Sequence, residues 1–466
     1  MNRLDVLSPV VYLSNNWLSL TGVLLVTTST VFWLFLLPAN FGAETVHPYL
    51  GILIYLLLPG GFFGGLAMIP LGIYLESRRE KKSGEYPASF PPLDLRHTGL
   101  RRLLAFVVLA TGANLVIASQ FTYHAVNYMD SVNFCGQTCH SVMSPEFTAY
   151  QNSPHSRVEC VKCHIGPGAG WFVKSKLSGV GQVFAVTFNT YPRPIPAPVH
   201  NLRPARETCE TCHWPQKYGE DRLRVFRKFG DDEANTRTET VLLIRIGGGN
   251  GGPGIHGAHL GEGVGIRYAH TDEKRQEILW VERRDKDGKT TRFQAPDSKS
   301  GANAQVREMD CMDCHNRPTH IYELPERAVD NALASGAISP ALPFIKKKSV
   351  ELLKTTTGAG IPAALAAYYR DNHAPVFSEK RAEIERAAAA VRAIYDRNVF
   401  PQMKVTWGTY INNIGHTDFP GCFRCHDDTR AASDGRKLTQ DCNTCHSLLA
   451  MDEAGPKILS DLGIGK

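Results

Sequence analysis

Twelve cysteines are spread along this chain, and a histidine follows every second one. Cys160, Cys163 and His164 form one Cys-x-x-Cys-His unit. Cys209/Cys212/His213, Cys311/Cys314/His315, Cys422/Cys425/His426 and Cys442/Cys445/His446 form four more. Cys135, Cys139 and His140 form another, with one extra residue between the cysteines. A Cys-x-x-Cys-His run is the attachment signature of a c-type haem: two thiols add to the vinyl groups, and the histidine is placed to ligate the iron. Structural zinc, which takes ligands in fours, leaves the trailing histidines unexplained. So do redox disulfides. The units consume every cysteine, so the expected cofactor is six covalently bound haem c.

Each iron has two axial positions. His140, His164, His213, His315, His426 and His446 fill one set, and the other must come from elsewhere in the chain. His155 lies just before Cys160, His416 just before Cys422, and His320 just after His315, so each can cap the iron of a neighbouring unit. His200, between the second and third units, is a further candidate, as is one of His256 and His259 in GIHGAHLG, where an ordinary loop is the competing reading. Met143, three residues after His140, is a candidate ligand at the first unit. The remaining histidines, His47, His97, His124, His270 and His373, lack such a context.

The elements that carry these units begin with an apolar quarter. Trp17 to Leu37, Tyr49 to Leu75 and Leu103 to Gln120 contain no charged side chain, and each is long enough to cross a hydrocarbon core of about 30 Å as a helix. Pro59, Pro70 and the glycines between them should kink or thin the second. The first reads as an uncleaved anchor, because no small-residue cleavage site follows Leu37. Arg78, Arg79, Lys81, Lys82, Arg96, Arg101 and Arg102 crowd the second connection, whereas 38–48 holds no Lys or Arg. Positive connections stay in the cytoplasm, so the N-terminus belongs inside and all the haem units outside. The net charge of +6 is partly this basic stretch, so no nucleic-acid partner is inferred.

The expected fold is mainly α: a three-helix membrane anchor (1–121), a four-haem domain (122–325) with a small antiparallel β insertion at about 214–308, and a helical extension with two haems (326–466). Residues 122 to about 213 carry three haem units close together, which leaves little room there for a polypeptide core. Gly170 to Asn189 is apolar with Lys174 and Lys176 embedded, and reads as a helix on the bilayer surface. Within the insertion, Thr238–Ile246, Gly263–Tyr268, Gln276–Arg283 and Lys289–Phe293 alternate like strands, and Asp287-Gly288 reads as a hairpin turn. Helices are expected over Pro325–Ser335 and Pro343–Thr357, stopped by Gly336 and Gly358, and over Glu379–Asn398 with Ser378 as N-cap. The tail after Met451 gives no signal.

With these residues in place, the chain resembles the NapC/NirT family of membrane-anchored multihaem quinol dehydrogenases over about residues 103–325. The likeness rests on an anchor helix running into CGQTCHSVM, on SPH before CVKCH, on VKSKLSG, CETCH and CMDCHNRPTHIYELP. Three apolar segments, the extra residue in the first unit, the insertion and the last two haems depart from the family pattern. The extended form looks like inner-membrane cytochromes of metal-respiring bacteria. The resemblance implies an electron wire, with His155 capping the third haem and His320 the second. It also implies a membrane quinol oxidised at the first haem, with a lysine from the surface helix (Lys176, or Lys174) and an acid such as Asp130 beside it.

The partners expected on this reading are a quinol, the lipid bilayer and a periplasmic electron acceptor, itself a multihaem cytochrome. The location is the bacterial inner membrane, with the haem domain on the periplasmic side. Two competing readings are a terminal reductase of nitrite or hydroxylamine, which needs an iron with an open face, and a non-catalytic haem-containing anchor subunit.

Overall fold

The computed structural model describes residues 8–40, 53–90, 98–138, 140–199, 202–214, 220–247, 254–295 and 304–464. His47, His97, Cys139, His200 and residues 248–253 of the glycine-rich loop lie outside them, as does the side chain of His140. The chain divides into two compact units, Met1–Phe134 and Cys135–Lys466.

The first unit is built from the helices Trp17–Asn40, Leu58–Ser83 and Thr98–Asp130. Asn16 starts the first: its Oδ1 accepts the Ser19 N–H at 2.9 Å, satisfying a donor that the helix itself cannot. Small residues let the first two helices close up. A Cβ added to Gly22 would lie 2.6 Å from the Gly65 carbonyl oxygen, and one on Gly65 equally close to the Gly22 carbonyl. Ser19 donates its hydroxyl across the same seam to the Ile69 carbonyl at 3.0 Å. Close backbone approach through small residues is how helices associate where the surroundings are as apolar as they are. Trp33, 1 % exposed, stacks on Phe121 at 4.1 Å between ring centres and meets Phe62 at 5.5 Å. Outward-facing Leu24, Leu71, Leu109 and Val116 are exposed.

Leu58–Ser83 is, among the described residues, a helix long and apolar enough to cross a membrane. Pro59 occupies its first turn, where a missing N–H is harmless, and Pro70 lies inside it. Two expectations change here. The basic stretch does not begin a loop at Glu76: Arg78, Arg79, Lys81 and Lys82 extend the helix to Ser83, where cations favour the negative end of the dipole and Gly84 (φ 75°) caps it. The third apolar segment does not stop at Gln120 either. Its helix continues to Asp130, so His124 and Asp130 ride on it.

In the second unit the strands among the described residues form two sheets, ordered β1-β2-β7 and β5-β4-β3-β6. They are β1 (Arg222–Phe229), β2 (Arg237–Ile244), β3 (Gly265–His270), β4 (Ile278–Arg284), β5 (Thr290–Gln294), β6 (Gln305–Glu308) and β7 (His446–Glu453). The β4–β5 turn forms at Asp287-Gly288, with Gly288 at φ 77°. The insertion is not self-contained, however. β7 begins at His446 and pairs antiparallel with β2 (Ile244↔His446, Leu242↔Leu448, Val241↔Ala450). The register shift between the last two pairs leaves Leu449 as a bulge. The tail of the chain is thus tied into the insertion.

Between the fourth and fifth Cys-x-x-Cys-His units the helices Pro325–Ala334, Ile345–Thr355, Ile361–Asn372 and Arg381–Asn398 enclose a polypeptide core of Val329, Ile338, Leu342, Ile361, Leu365, Tyr369 and Val391. Gly336 ends the first of these at φ 77°. Gly358 is not a left-handed stop; it is small because a Cβ there would lie 2.7 Å from the Tyr395 ring. Ser378 does not cap the last helix. It belongs to a preceding turn, Ala374–Glu379, and donates to the Pro375 carbonyl. The cluster is pinned to the β1–β2 hairpin by buried polar groups. Lys346 Nζ donates to Asp330 Oδ1 at 2.6 Å, and the same carboxylate accepts the Phe229 N–H at 3.1 Å.

Candidate haem-ligating site

Each regular unit folds as one helical turn. The N–H of the histidine closes on the carbonyl of the first cysteine: His213 on Cys209 (2.8 Å), His315 on Cys311 (2.8 Å) and His426 on Cys422 (3.1 Å), and likewise His446 on Cys442. One turn brings two thiols three residues apart to the same side, with the imidazole directly after. Asp310 locks the turn Cys311–Cys314 through a capping box with Asp313. Asp313, 2 % exposed, also accepts from Arg275, Arg307 and the Tyr268 hydroxyl, and its carbonyl accepts from Arg424 of the fifth unit at 2.6 Å. At the first unit Phe134–Thr138 forms a wider π-helical turn, and Cys139 itself lies outside the described residues.

The imidazoles face one another in pairs. Ring centres are 6.3 Å apart for His164 and His320, 6.0 Å for His155 and His213, 6.3 Å for His256 and His315, 5.9 Å for His259 and His426, and 6.2 Å for His416 and His446. Every pair joins the histidine of one unit to a histidine outside the units. An imidazole nitrogen binds a metal at about 2.0 Å with the ring centre about 1.1 Å behind it, so two trans ligands place their ring centres about 6.2 Å apart. The residues present therefore fit an iron between each pair. A cavity of about 290 Å³ opens beside His259. Among the described residues, no three His, Cys, Asp or Glu side chains converge as a zinc cage requires, and every cysteine from Cys160 onward is a free thiol.

Tautomers follow from the outer nitrogens. Nδ1 of His155, His259, His320 and His426 lies 3.2, 2.8, 3.0 and 3.1 Å from the carbonyls of Pro318, Ile255, Glu146 and Thr439. A carbonyl only accepts, so Nδ1 carries the hydrogen and Nε2 keeps its lone pair for the facing position. Burial pushes the His320 pKa down to about 4 and lowers those of His164, His256, His259, His315 and His446, which keeps these rings neutral.

Thiols of successive units also adjoin. Cys135 lies within hydrogen-bonding reach of Cys160, and Cys209 of Cys311, while Cys163 and Cys212, Cys314 and Cys422, and Cys422 and Cys445 are near enough for their charges to interact. The units therefore follow one another in space in the order of the sequence.

The family-model comparison matches residues 98–194 to the N-terminal region of the NapC/NirT cytochrome c family. The cytochrome c-type protein ImcH of Geobacter sulfurreducens is 42 % identical over 445 residues, which covers 93 % of this chain and 88 % of that protein. The chain belongs to the NapC/NirT cytochrome c family. It is accordingly an electron-transfer cytochrome with covalently bound haem c. No solved structure matches it.

The remaining sequence candidates are placed as follows. Met143 is half-buried on the helix His140–Gln151. Lys174 and Lys176 lie on the helix Ala169–Thr187, each Nζ over an aromatic ring of the same helix: Trp171 at 4.7 Å and Phe172 at 4.8 Å. Val173, Leu177, Val180 and Phe184 form an exposed apolar row along it. Asp130 ends its helix in the first unit. His270 is buried, with Nδ1 on the Asp272 carbonyl at 2.8 Å, and His373 packs on Tyr368 and Tyr369; neither faces another imidazole in the pairs above. Sequence reading left the pairing of His256, His259 and His416 open. The overlooked signal is the i, i+3 spacing of the first two, which one helical turn (Gly254–Leu260) aims at two adjacent units.

Proposed function

We propose that this chain is a six-haem wire that oxidises a membrane quinol and relays the electrons to a soluble multihaem acceptor on the periplasmic side. The observation that carries this reading is the set of facing imidazole pairs at units that adjoin in sequence order. Bound haem supplies a one-electron Fe(III)/Fe(II) couple at each unit. The cysteine turns would hold it, and the paired histidines would supply its iron ligands at units two to six. A nitrite or hydroxylamine reductase needs an open face at iron, so filled pairs favour transfer over substrate reduction.

In this reading the helices of residues 1–121 are a three-span anchor with the N-terminus in the cytoplasm. Residues 122–325 hold four haems and 326–466 two. Quinol oxidation takes place at the first unit and releases two electrons and two protons. Met143 ligates that haem, which frees His140 or leaves a face open to the quinol. Lys176, with Lys174 as the alternative, holds the quinol oxygen, and Asp130 accepts a proton.

The test is anaerobic mixing of the detergent-solubilised protein with a reduced menaquinone analogue while the haem bands are followed. Replacing Lys174 and Lys176 together by Met keeps bulk and removes charge. Quinol-driven reduction should slow by about a hundredfold, with reduction by dithionite intact. A wild-type rate with all haems present sinks the lysine role.

A further inference from the structure

Glu146 lies on the helix His140–Gln151, and its side chain is only 16 % exposed. It meets the outer nitrogen of a paired histidine twice. Nδ1 of His320 is 3.0 Å from the Glu146 carbonyl oxygen and 3.1 Å from its carboxylate Oε2. The N–H aims at the carbonyl, while Oε2 lies alongside, buried, and the Tyr322 hydroxyl neighbours the same carboxylate. Arg317 Nη1 stands 3.7 Å from the other carboxylate oxygen, and its guanidinium covers the Tyr410 ring at 4.0 Å. Burial raises the pKa of this carboxyl, and the Arg317 charge opposes that rise.

Other outer nitrogens have different company. His155, His259 and His426 donate to backbone carbonyls. Nδ1 of His256 and of His446 is buried with no hydrogen-bond partner. A full negative charge beside Nδ1 makes the opposite nitrogen a stronger donor to a metal than a carbonyl alone does.

We propose that Glu146 is a positioning residue for His320 and that its carboxylate lowers the reduction potential of the second haem. The inference rests on the axial-pair reading of His164 and His320. One electron converts Fe(III) to Fe(II) at this unit with no bond made or broken. Negative charge at Glu146, felt through the imidazole and through space, favours the ferric state. Cys135 of the first unit adjoins Cys160 of the second, so this unit receives electrons directly from the first. A lowered second step keeps the receiving unit oxidised, and open to the next electron, while its neighbours fill.

The experiment is a spectroelectrochemical titration of the full-length holoprotein with three variants. His320→Met identifies the step that belongs to the second unit, because a thioether ligand moves it upward. Glu146→Gln should raise that same step by about 59 mV, a roughly tenfold change in its reduction equilibrium, and leave the others in place. Arg317→Gln, which leaves the carboxylate uncompensated, should lower it. Low-spin bands and intact mass report that ligation and haem content are unchanged in the Glu146 and Arg317 variants. If His320→Met moves no step, the ligand pair itself is wrong. If it moves a step that Glu146→Gln leaves in place, the pair stands and the role of Glu146 is refuted. Should Glu146→Gln fail to accumulate, Glu146→Ala read against the same His320→Met step decides in its place, and an unshifted step there overturns the proposal.

Discussion

His256 and His259 stand three residues apart on one helical turn, and their rings face His315 and His426 respectively. Residues at i and i+3 lie about 5 to 6 Å apart at Cβ, so one short helix can serve two irons only if those irons are neighbours. The electrostatic influence of Cys422 on the Cys314 thiol fits the same demand. His256→Ala should therefore convert one haem, that of the fourth unit, to a high-spin form that binds cyanide. His259→Ala should do so at the fifth. Haem content, read from intact mass after allowing for the substitution, stays constant in both, because the thioether bonds do not depend on the axial ligand. Magnetic circular dichroism counts the low-spin haems, and an unchanged count in both variants overturns the assignment. The attachment units were legible in the sequence because covalent chemistry fixes their spacing within one turn. The facing histidines were only half legible. An axial bond constrains distance in space and not along the chain, and the glycines around His256 and His259 read as loop.

At the scale of elements, the β insertion was legible where alternation was clean, as in β4 and β5. β1 (RLRVFRKF) hid because its outward positions are strongly basic, and β7 because its partner β2 lies some two hundred residues earlier. The helical cluster between the fourth and fifth units has a polypeptide core of its own, held to the β1–β2 hairpin by Lys346 and Asp330. Lys346 is 4 % exposed and Asp330 9 %. Breaking a buried pair from one side strands the other charge. Asp330→Ala leaves the ammonium with the Glu326 carbonyl at 2.7 Å and removes the acceptor of the Phe229 N–H. The expected loss is about 3 to 5 kcal/mol of stability, read as a lower denaturant midpoint by far-ultraviolet circular dichroism. Replacing both residues together by apolar ones of similar volume should recover much of it. A midpoint that stays at the wild-type value in Asp330→Ala shows that the hairpin and the cluster are not coupled through this pair.

For the whole molecule, composition located the apolar segments but not the lengths of their helices. A bilayer constrains only the apolar stretch, and a helix can run on into water wherever its residues permit. Leu58–Ser83 does so through a basic last turn, and Thr98–Asp130 through a polar end that carries His124 and Asp130. The distribution of charge then fixes direction. Arg78, Arg79, Lys81 and Lys82 cluster at one end of the second helix, and Arg101 and Arg102 open the third. Carrying one such cation through the centre of a bilayer costs about 2.5 to 3.5 kcal/mol. Each cation thus adds to the barrier against translocating this connection, which favours its retention in the cytoplasm. On the proposed three-span reading, the odd number of spans would put Cys135 and everything after it on the opposite face. A reporter that is active only in the cytoplasm, fused after Gly84 where the second helix is capped, should be active. The same reporter after Lys466 should be silent, and one that is active only in the periplasm should give the reverse pattern. Equal activity at the two positions would mean that the helix Thr98–Asp130 does not cross between Gly84 and the haem units, and the three-span anchor would have to be abandoned.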